Sequence, residues 1–260
     1  MLSRPHRSPN ASISSRSRCG RRQKGRAVSP LDTLLGWPWW QRRPFPDRAA
    51  AGQALATRLR AYAGHPGLVV LALPRGGLPV AFAVARALGA PLDLLLVRKL
   101  GTPGQTELAM GAIAEGDVQV LNDEVVQALA IGPEELAQAA VAEGRELERQ
   151  ARSYRRGQKP PDLRGQVVIL VDDGLATGTT MRAAIAAVRA QQPEQLIVAV
   201  PVAARETAEE LQALVDALIA VEIPEDLVAI GLWYQDFSQT SDDEVCDLLR
   251  QAAEARERDT

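Results

Sequence analysis

The chain has 260 residues, long enough for one large domain or two small ones, and 46% of them are hydrophobic but only 4% aromatic, so its core is built from Ala, Val, Leu and Ile. The net charge is −2, yet eight of the 30 Lys and Arg fall in residues 1–31, which hold no acid, and the rest carries 22 basic against 32 acidic residues. An acidic body argues against broad nucleic-acid binding, and no apolar run approaches the roughly 18–20 residues a membrane span needs, so the sequence reads as soluble.

Residues 1–43 read as a disordered basic tail, rich in Arg, Ser and Pro, which buries too little apolar surface to offset its ordering entropy. Such a segment also fits an organelle transit peptide or a nucleic-acid-binding arm. Its apolar cluster, Leu34, Leu35, Trp37, Trp39 and Trp40, is suited to docking on the body. Residues 44–260 form the second unit. Positions 48–62 carry Ala51, Leu55, Leu59 and Tyr62 on one helical stripe. Residues 68–73 are a buried strand that runs into Pro74-Arg75-Gly76-Gly77, a tight turn, and 78–88 a helix stopped by Gly89. A second buried strand is expected over 92–97, then a mobile polar loop over 99–107, then a hairpin over 110–121 turning at Gly116-Asp117.

A long charged helix follows at 133–156, opened by Pro133, whose face is either solvated or a homodimer contact. Residues 167–171 (VVILV) are the strongest strand of the chain and precede a helix at 179–190. Beyond it we expect a strand at 196–200, a helix at 205–214 with a solvated run of Arg205, Glu206, Glu209 and Glu210, strands at 218–223 and 228–232, and a closing helix at 242–254. Two cysteines (Cys19, Cys246) and two histidines (His6, His65) are too few for a disulfide framework or a Cys- or His-based metal site. They fit a reducing, cytoplasmic compartment. Strands alternating with helices imply an α/β fold, doubly wound around a mainly parallel sheet, with ligands beyond the carboxyl ends of the strands.

The segment 167–180, VVILVDDGLATGTT, carries the chemistry. A hydrophobic strand delivers Asp172 and Asp173 to its end, and a short crossing with two glycines then opens a helix. Ala176, Thr177, Gly178, Thr179 and Thr180 combine backbone N–H groups, hydroxyls and a helix dipole into a phosphate-sized cradle. Acids beside such a cradle would repel an anion unless they face hydroxyls or Mg²⁺. A ribose 5-phosphate offers a phosphate at one end and hydroxyls several ångströms away. A phosphatase with adjacent acids would instead want a D-x-D spacing.

This segment resembles the phosphoribosyl pyrophosphate (PRPP) motif of type I phosphoribosyltransferases. The runs ALPRGGLPVA, VRKLGTPGQTELAMGAI, VAVPVAA and YQDFSQTSDDEV extend the resemblance, over about residues 45–255, to a bacterial subgroup whose acceptor is unassigned. The resemblance implies that Asp172 and Asp173 hold the ribose hydroxyls and Mg²⁺, and that 176–180 wraps the 5-phosphate. It also implies that Arg75, Gly76 and Gly77 receive pyrophosphate, with Arg98 and Lys99 on a closing loop and Lys99 meeting pyrophosphate. The expected activity is transfer of the phosphoribosyl group to a small, nucleobase-like acceptor. A non-catalytic PRPP-binding regulator is the alternative. Hypoxanthine- and guanine-type enzymes carry an acid where Ala176 stands, so the 6-oxopurine group is disfavoured. A small hood is expected at 231–237 with parts of the N-terminal region. There Trp233, Tyr234 and Phe237 serve either to stack on a flat base or as core aromatics.

Overall fold

The computed structural model describes residues 45–102, 105–115, 118–155 and 157–259. The expected tail at 1–43, its Trp cluster and the Gly116-Asp117 turn lie outside them. At the centre is a parallel sheet of five strands: β1 (Leu68–Ala72), β2 (Leu92–Leu94), β6 (Val167–Val171), β7 (Gln195–Val202) and β8 (Ala217–Glu222). Their spatial order is β2-β1-β6-β7-β8. The chain moves outward from β1 to β2, then returns to the other side of β1 for β6. The switch point of the sheet is therefore the gap between the ends of β1 and β6.

The strands are apolar on both faces because both faces are covered. Leu68, Val70, Ala72, Val167, Ile169 and Val171 point into one core layer with helices α1 (Arg48–Arg58), α2 (Gly77–Leu88) and α7 (Asp242–Asp259). Val69, Leu71, Val168 and Leu170 point into the other, under α5 (Thr179–Ala190) and α6 (Arg205–Gln212). This period-2 division of continuous Val/Leu/Ile runs is what a doubly wound sheet requires. Among the described residues no helix is long and apolar enough to cross a membrane.

A second, antiparallel sheet holds β3 (Val97–Thr102), β4 (Gln105–Ala114) and β5 (Val118–Leu121). It has a small core of its own. Leu100, Met110 and Ile131 pack with residues of α3 (Asp123–Ala128) and α4 (Pro133–Arg155). Three expectations are corrected here. The apolar run 92–97 is not one strand: pairing with β1 ends at Leu94, and Val97 starts the second sheet. Leu95 and Leu96 between them are both buried, so the run stays apolar while the chain changes partner. The polar stretch 99–107 is not a loop throughout. Lys99–Thr102 and Gln105 onward pair antiparallel, and Gly101 sits at a register irregularity. Residues 228–232 form no strand; a 3-10 turn spans Ile230–Trp233. The short α3, capped by Asn122 accepting from Val125 N, has too few turns to show a periodic pattern.

The two sheets are joined through a buried arginine at the end of α4. Arg155 is 8% exposed. It donates to both carboxylate oxygens of Glu115 at 2.8 Å, to Asp93 at 2.6 Å and to the carbonyl of Leu94 at 2.8 Å. Burial pushes the Glu115 carboxyl above its usual range even though Arg155 pulls it down. Removing the cation would leave two partly buried acids, Asp93 and Glu115, without their shared partner. Arg155→Ala is expected to cost about 3 kcal/mol, read as a lower urea midpoint with an unchanged slope.

Candidate active site

β1 and β6 lie side by side in parallel register, from Leu68 opposite Val167 to Ala72 opposite Val171. They end at the same level, so the turn after β1 and the loop after β6 leave the sheet together. Gly76 and Gly77 let them touch. A Cβ on Gly76 would stand 2.2 Å from Oδ2 of Asp173, and one on Gly77 would stand 2.8 Å from the carbonyl oxygen of Val171. Leu73 N donates to the Val171 carbonyl at 2.9 Å, and Gly77 N to the Leu73 carbonyl at 3.1 Å. The structure thus brings Arg75, Gly76, Gly77, Asp172 and Asp173 together. The two glycines serve contact between the loops, a role beyond the ligand approach expected of them.

The loop from Gly174 to Gly178 is held from below. Leu175 bridges to Ala203 at the end of β7, donating to the Val202 carbonyl and accepting from Ala204 N, both at 2.8 Å. Thr207, on α6, donates its hydroxyl to the Ala176 carbonyl. Gly178 has φ +68°, and a Cβ there would meet the Thr207 methyl at 2.5 Å, so backbone angle and space both demand glycine. Ala176, Thr177 and Thr180 are exposed, and the Thr177 and Thr179 hydroxyls lie 3.3 Å apart. No side chain caps the start of α5. Its first-turn N–H groups remain open to an anion beside these hydroxyls.

Two side chains support the acid pair: Arg48, which no sequence pattern singled out, and Tyr234, one of the expected hood rings. Arg48, at the start of α1, donates Nε to Oδ2 of Asp173 at 2.8 Å and Nη1 to the carbonyl of Ser238 at 2.7 Å. Its guanidinium lies 3.9 Å from the centre of the Phe237 ring. Tyr234 donates its hydroxyl to the backbone carbonyl of Asp173 at 2.6 Å. Arg48 and Asp173 are 125 positions apart, and nothing in the helix pattern around Arg48 marks it. The hood draws on both ends of the body: Phe45 pairs with Tyr234, and Phe45 N donates to the Trp233 carbonyl at 2.7 Å.

Of the two roles expected for Trp233 and Tyr234, their burial matches that of core aromatics. Both are buried, with Ala51 and Val202, in a small core beneath the acid pair. The hood ring that remains outside is that of Phe237, 37% exposed and stacked 5.0 Å from Tyr234. Arg98 and Lys99 belong to β3 and line a cleft of about 380 Å³ with Pro74, Glu143, Gln150 and Thr180. Arg98 donates to Glu143 of α4 at 2.7 Å. This cleft adjoins both phosphate-sized turns. A larger depression of about 750 Å³ lies at the opposite end, where the strands begin, and shares no residue with the rim.

The electrostatics of the pair are unfavourable in isolation. Burial, then the neighbouring charge of Asp173, pushes the Asp172 carboxyl well above the usual carboxylate range. Burial also raises Asp173, with Arg48 pulling it back down. Asp172 Oδ1 accepts from Asp173 N at 2.8 Å. The carboxylate oxygens suit a hard cation, and no cluster of three or more His, Cys, Asp or Glu among the described residues would cage one. That donor set fits Mg²⁺ completed by ligand oxygens.

A carboxyl whose folded pKa exceeds its unfolded one binds more protons in the folded chain across the interval between the two. Stability therefore falls as pH rises from the ordinary value of 3.8 through the raised one. Asp172→Asn keeps the acceptor for Asp173 N and removes the charge. It is expected to raise the melting temperature at pH 7 by a few degrees. The gain shrinks towards pH 4. Circular dichroism melts of both proteins at the two pH values measure this, and a lower melting temperature at pH 7 contradicts it.

The chain matches the phosphoribosyl transferase domain family over residues 45–234. It is 43% identical over 208 residues to proteins from two strains of Mycobacterium tuberculosis, each named "Putative phosphoribosyl transferase". The match takes in 80% of this chain and 47% of those proteins, so the chain spans about half the length of the curated relatives it matches. A crystal structure of a Thermus thermophilus protein is 40% identical and superposes with a TM-score of 0.75, covering 81% of this chain and 99% of that one. A β1 turn and a β6 acid pair in contact at the switch point are thus those of a member of the phosphoribosyl transferase domain family, to which this chain belongs.

Proposed function

We propose that the chain is a phosphoribosyltransferase that binds PRPP across the β1–β6 switch point and transfers its phosphoribosyl group to a small, nucleobase-like acceptor. The observation that carries the reading is the direct contact between the β1 turn and the acid pair, from which the chain runs straight into the 176–180 bend. PRPP is a ribose with a phosphate at one end and a pyrophosphate at the other. The 5-phosphate takes residues 176–180 and the start of α5. The ribose hydroxyls take Asp172 and Asp173. The pyrophosphate takes Arg75 and the Gly76 and Gly77 backbone, with Arg98 and Lys99 across the cleft.

In the reaction the bond from the anomeric carbon to pyrophosphate breaks and its electron pair leaves with pyrophosphate. The acceptor's lone pair then forms the new bond to that carbon. The chain's part is to hold donor and acceptor in line and to stabilise the leaving charge, not to form a covalent intermediate. Arg75 suits the leaving group because its planar fork matches phosphate oxygens. Asp172 and Asp173 fix the ring through its hydroxyls. Mg²⁺, when bound through Asp172 and Asp173 and the donor's own oxygens, would offset the charge of the pyrophosphate.

Calorimetric titration with PRPP and Mg²⁺ is expected to show saturable binding. Asp172→Asn/Asp173→Asn should weaken it about 100-fold, which is about 2.7 kcal/mol. A wild-type chain that ignores PRPP, or a double variant that binds as tightly, overturns the reading. A screen of nucleobases read by pyrophosphate release then decides the acceptor. Tight PRPP binding with no release from any base favours a ligand-binding regulator over an enzyme.

A further inference from the structure

We propose that Asp242, braced by Tyr154, is a positioning residue that aims the Arg75 guanidinium at the pyrophosphate side of the site. This rests on the reading of Arg75 as a pyrophosphate ligand given above.

Three elements far apart in sequence meet at one oxygen. Arg75 is in the turn after β1, Tyr154 near the end of α4 and Asp242 in the first turn of α7. Tyr154 donates its hydroxyl to Oδ1 of Asp242 at 2.6 Å, and Arg75 donates Nη1 to the same oxygen at 3.4 Å. The phenol is anchored: Tyr154 is buried in the core layer it shares with α2 and α7. Its pKa is pushed up to about 12, by burial first and then by the bond to Asp242, so it keeps its proton and stays a donor. The carboxylate is anchored as well. Ser241 Oγ accepts from Glu244 N at 3.1 Å, capping α7 so that Asp242 stands in the first turn, where the helix dipole favours a negative charge.

The geometry separates aiming from stabilising. Arg75 and Asp242 are 36% and 44% exposed, and a pair so open to water contributes little to folding. Its long contact engages one of the five guanidinium donors, which leaves the rest of the fork for a ligand. A flexible arginine beside a glycine turn would otherwise sample many rotamers, and ordering it would weaken each binding event. Asp242 is itself a negative charge near an anion site. Its carboxylate is already engaged by the phenol and the guanidinium, and these hold its pKa below the usual range. Aiming therefore outweighs repulsion in this reading, which fixes the sign of the test. In the sequence the YQDFSQTSDDEV run carries a pattern and no task; this contact gives its Asp242 one.

The test is a double-mutant cycle on PRPP affinity, by calorimetry with Mg²⁺ on the full chain. Asp242→Ala is expected to weaken binding about tenfold, and Tyr154→Phe a few-fold. Asp242→Asn, which can still accept from the phenol, should fall between wild type and Asp242→Ala. In an Arg75→Ala background the same substitutions should change affinity less than about twofold, because the residue they act through is gone. Melting curves within a few degrees of wild type show that the variants are folded. Affinity unchanged or improved in Asp242→Ala overturns the inference, as does full additivity with Arg75→Ala. If Arg75→Ala alone binds like wild type, the pyrophosphate assignment of the turn fails and takes this inference with it. Loss of the Asp242 effect alone leaves that assignment standing.

Discussion

The register between β1 and β6 is the constraint on which the rest of the molecule depends. Five consecutive pairings bring both strands to an end at the same height, and the two segments beyond have no room for a side chain between them. A one-residue slip would invert which side chains face each core layer, and both strands are buried on both faces, so the register is held by the whole interior. A surface loop pair could drift apart; these cannot without opening the sheet. The turn carrying Arg75 and the segment carrying Asp172 and Asp173 are thus fixed relative to each other by burial of Val, Leu and Ile.

That rigidity sets the electrostatic problem the hood solves. Two adjacent acids at a strand end lose much of their hydration, and the charge of Asp173 makes Asp172 harder still to ionise. Arg48 neutralises Asp173 from α1, and the Tyr234 hydroxyl satisfies the Asp173 carbonyl. Both helpers are held by the hood: Arg48 by the Ser238 carbonyl and the Phe237 ring, Tyr234 by its bridge to Phe45. Of the rings that sequence reasoning offered as either a stacking face or core aromatics, Trp233 and Tyr234 lie in the small core that forms the footing of the acid pair. Tyr and Trp suit that task because they combine a large apolar body with one polar handle.

The parallel sheet was legible in the sequence because its signal is local. Continuous apolar runs at 68–73 and 167–171, each ending in a turn or an acid pair, match β1 and β6 to within a residue. The acids and the glycine-threonine bend that follow β6 sit in an unbroken stretch of chain, so their chemistry could be read directly. What could not be read depends on partners distant in sequence. Leu95 and Leu96 look like strand continuation, yet the chain crosses between sheets there. The pairing of 99–102 with β4 is hidden behind glycines that resemble loop punctuation. Arg48 with Asp173, Thr207 with the Ala176 carbonyl and Tyr154 with Asp242 join elements with no common motif.

The same division separates the two halves of the proposed reaction. The donor half rests on strand ends and a helix start, whose positions follow from sheet register and hydrophobic pattern. In the proposed function the acceptor half would fall to the hood, where 3-10 and irregular backbone at 223–241 presents Val228, Leu232 and Phe237 outward. Nothing periodic governs that segment, and small changes in it would alter which rings and apolar groups meet an acceptor without disturbing β1 or β6. An architecture of this kind lets the sheet keep donor geometry while the hood varies the acceptor. Arg48 is one point where the halves touch, beside the Tyr234 hydroxyl, since its guanidinium is held by a hood carbonyl and a hood ring while it grips an acid of the donor side. A change of hood that displaces Ser238 or Phe237 therefore reaches the Asp173 carboxylate through Arg48, so that in the proposed function acceptor recognition is coupled to donor binding.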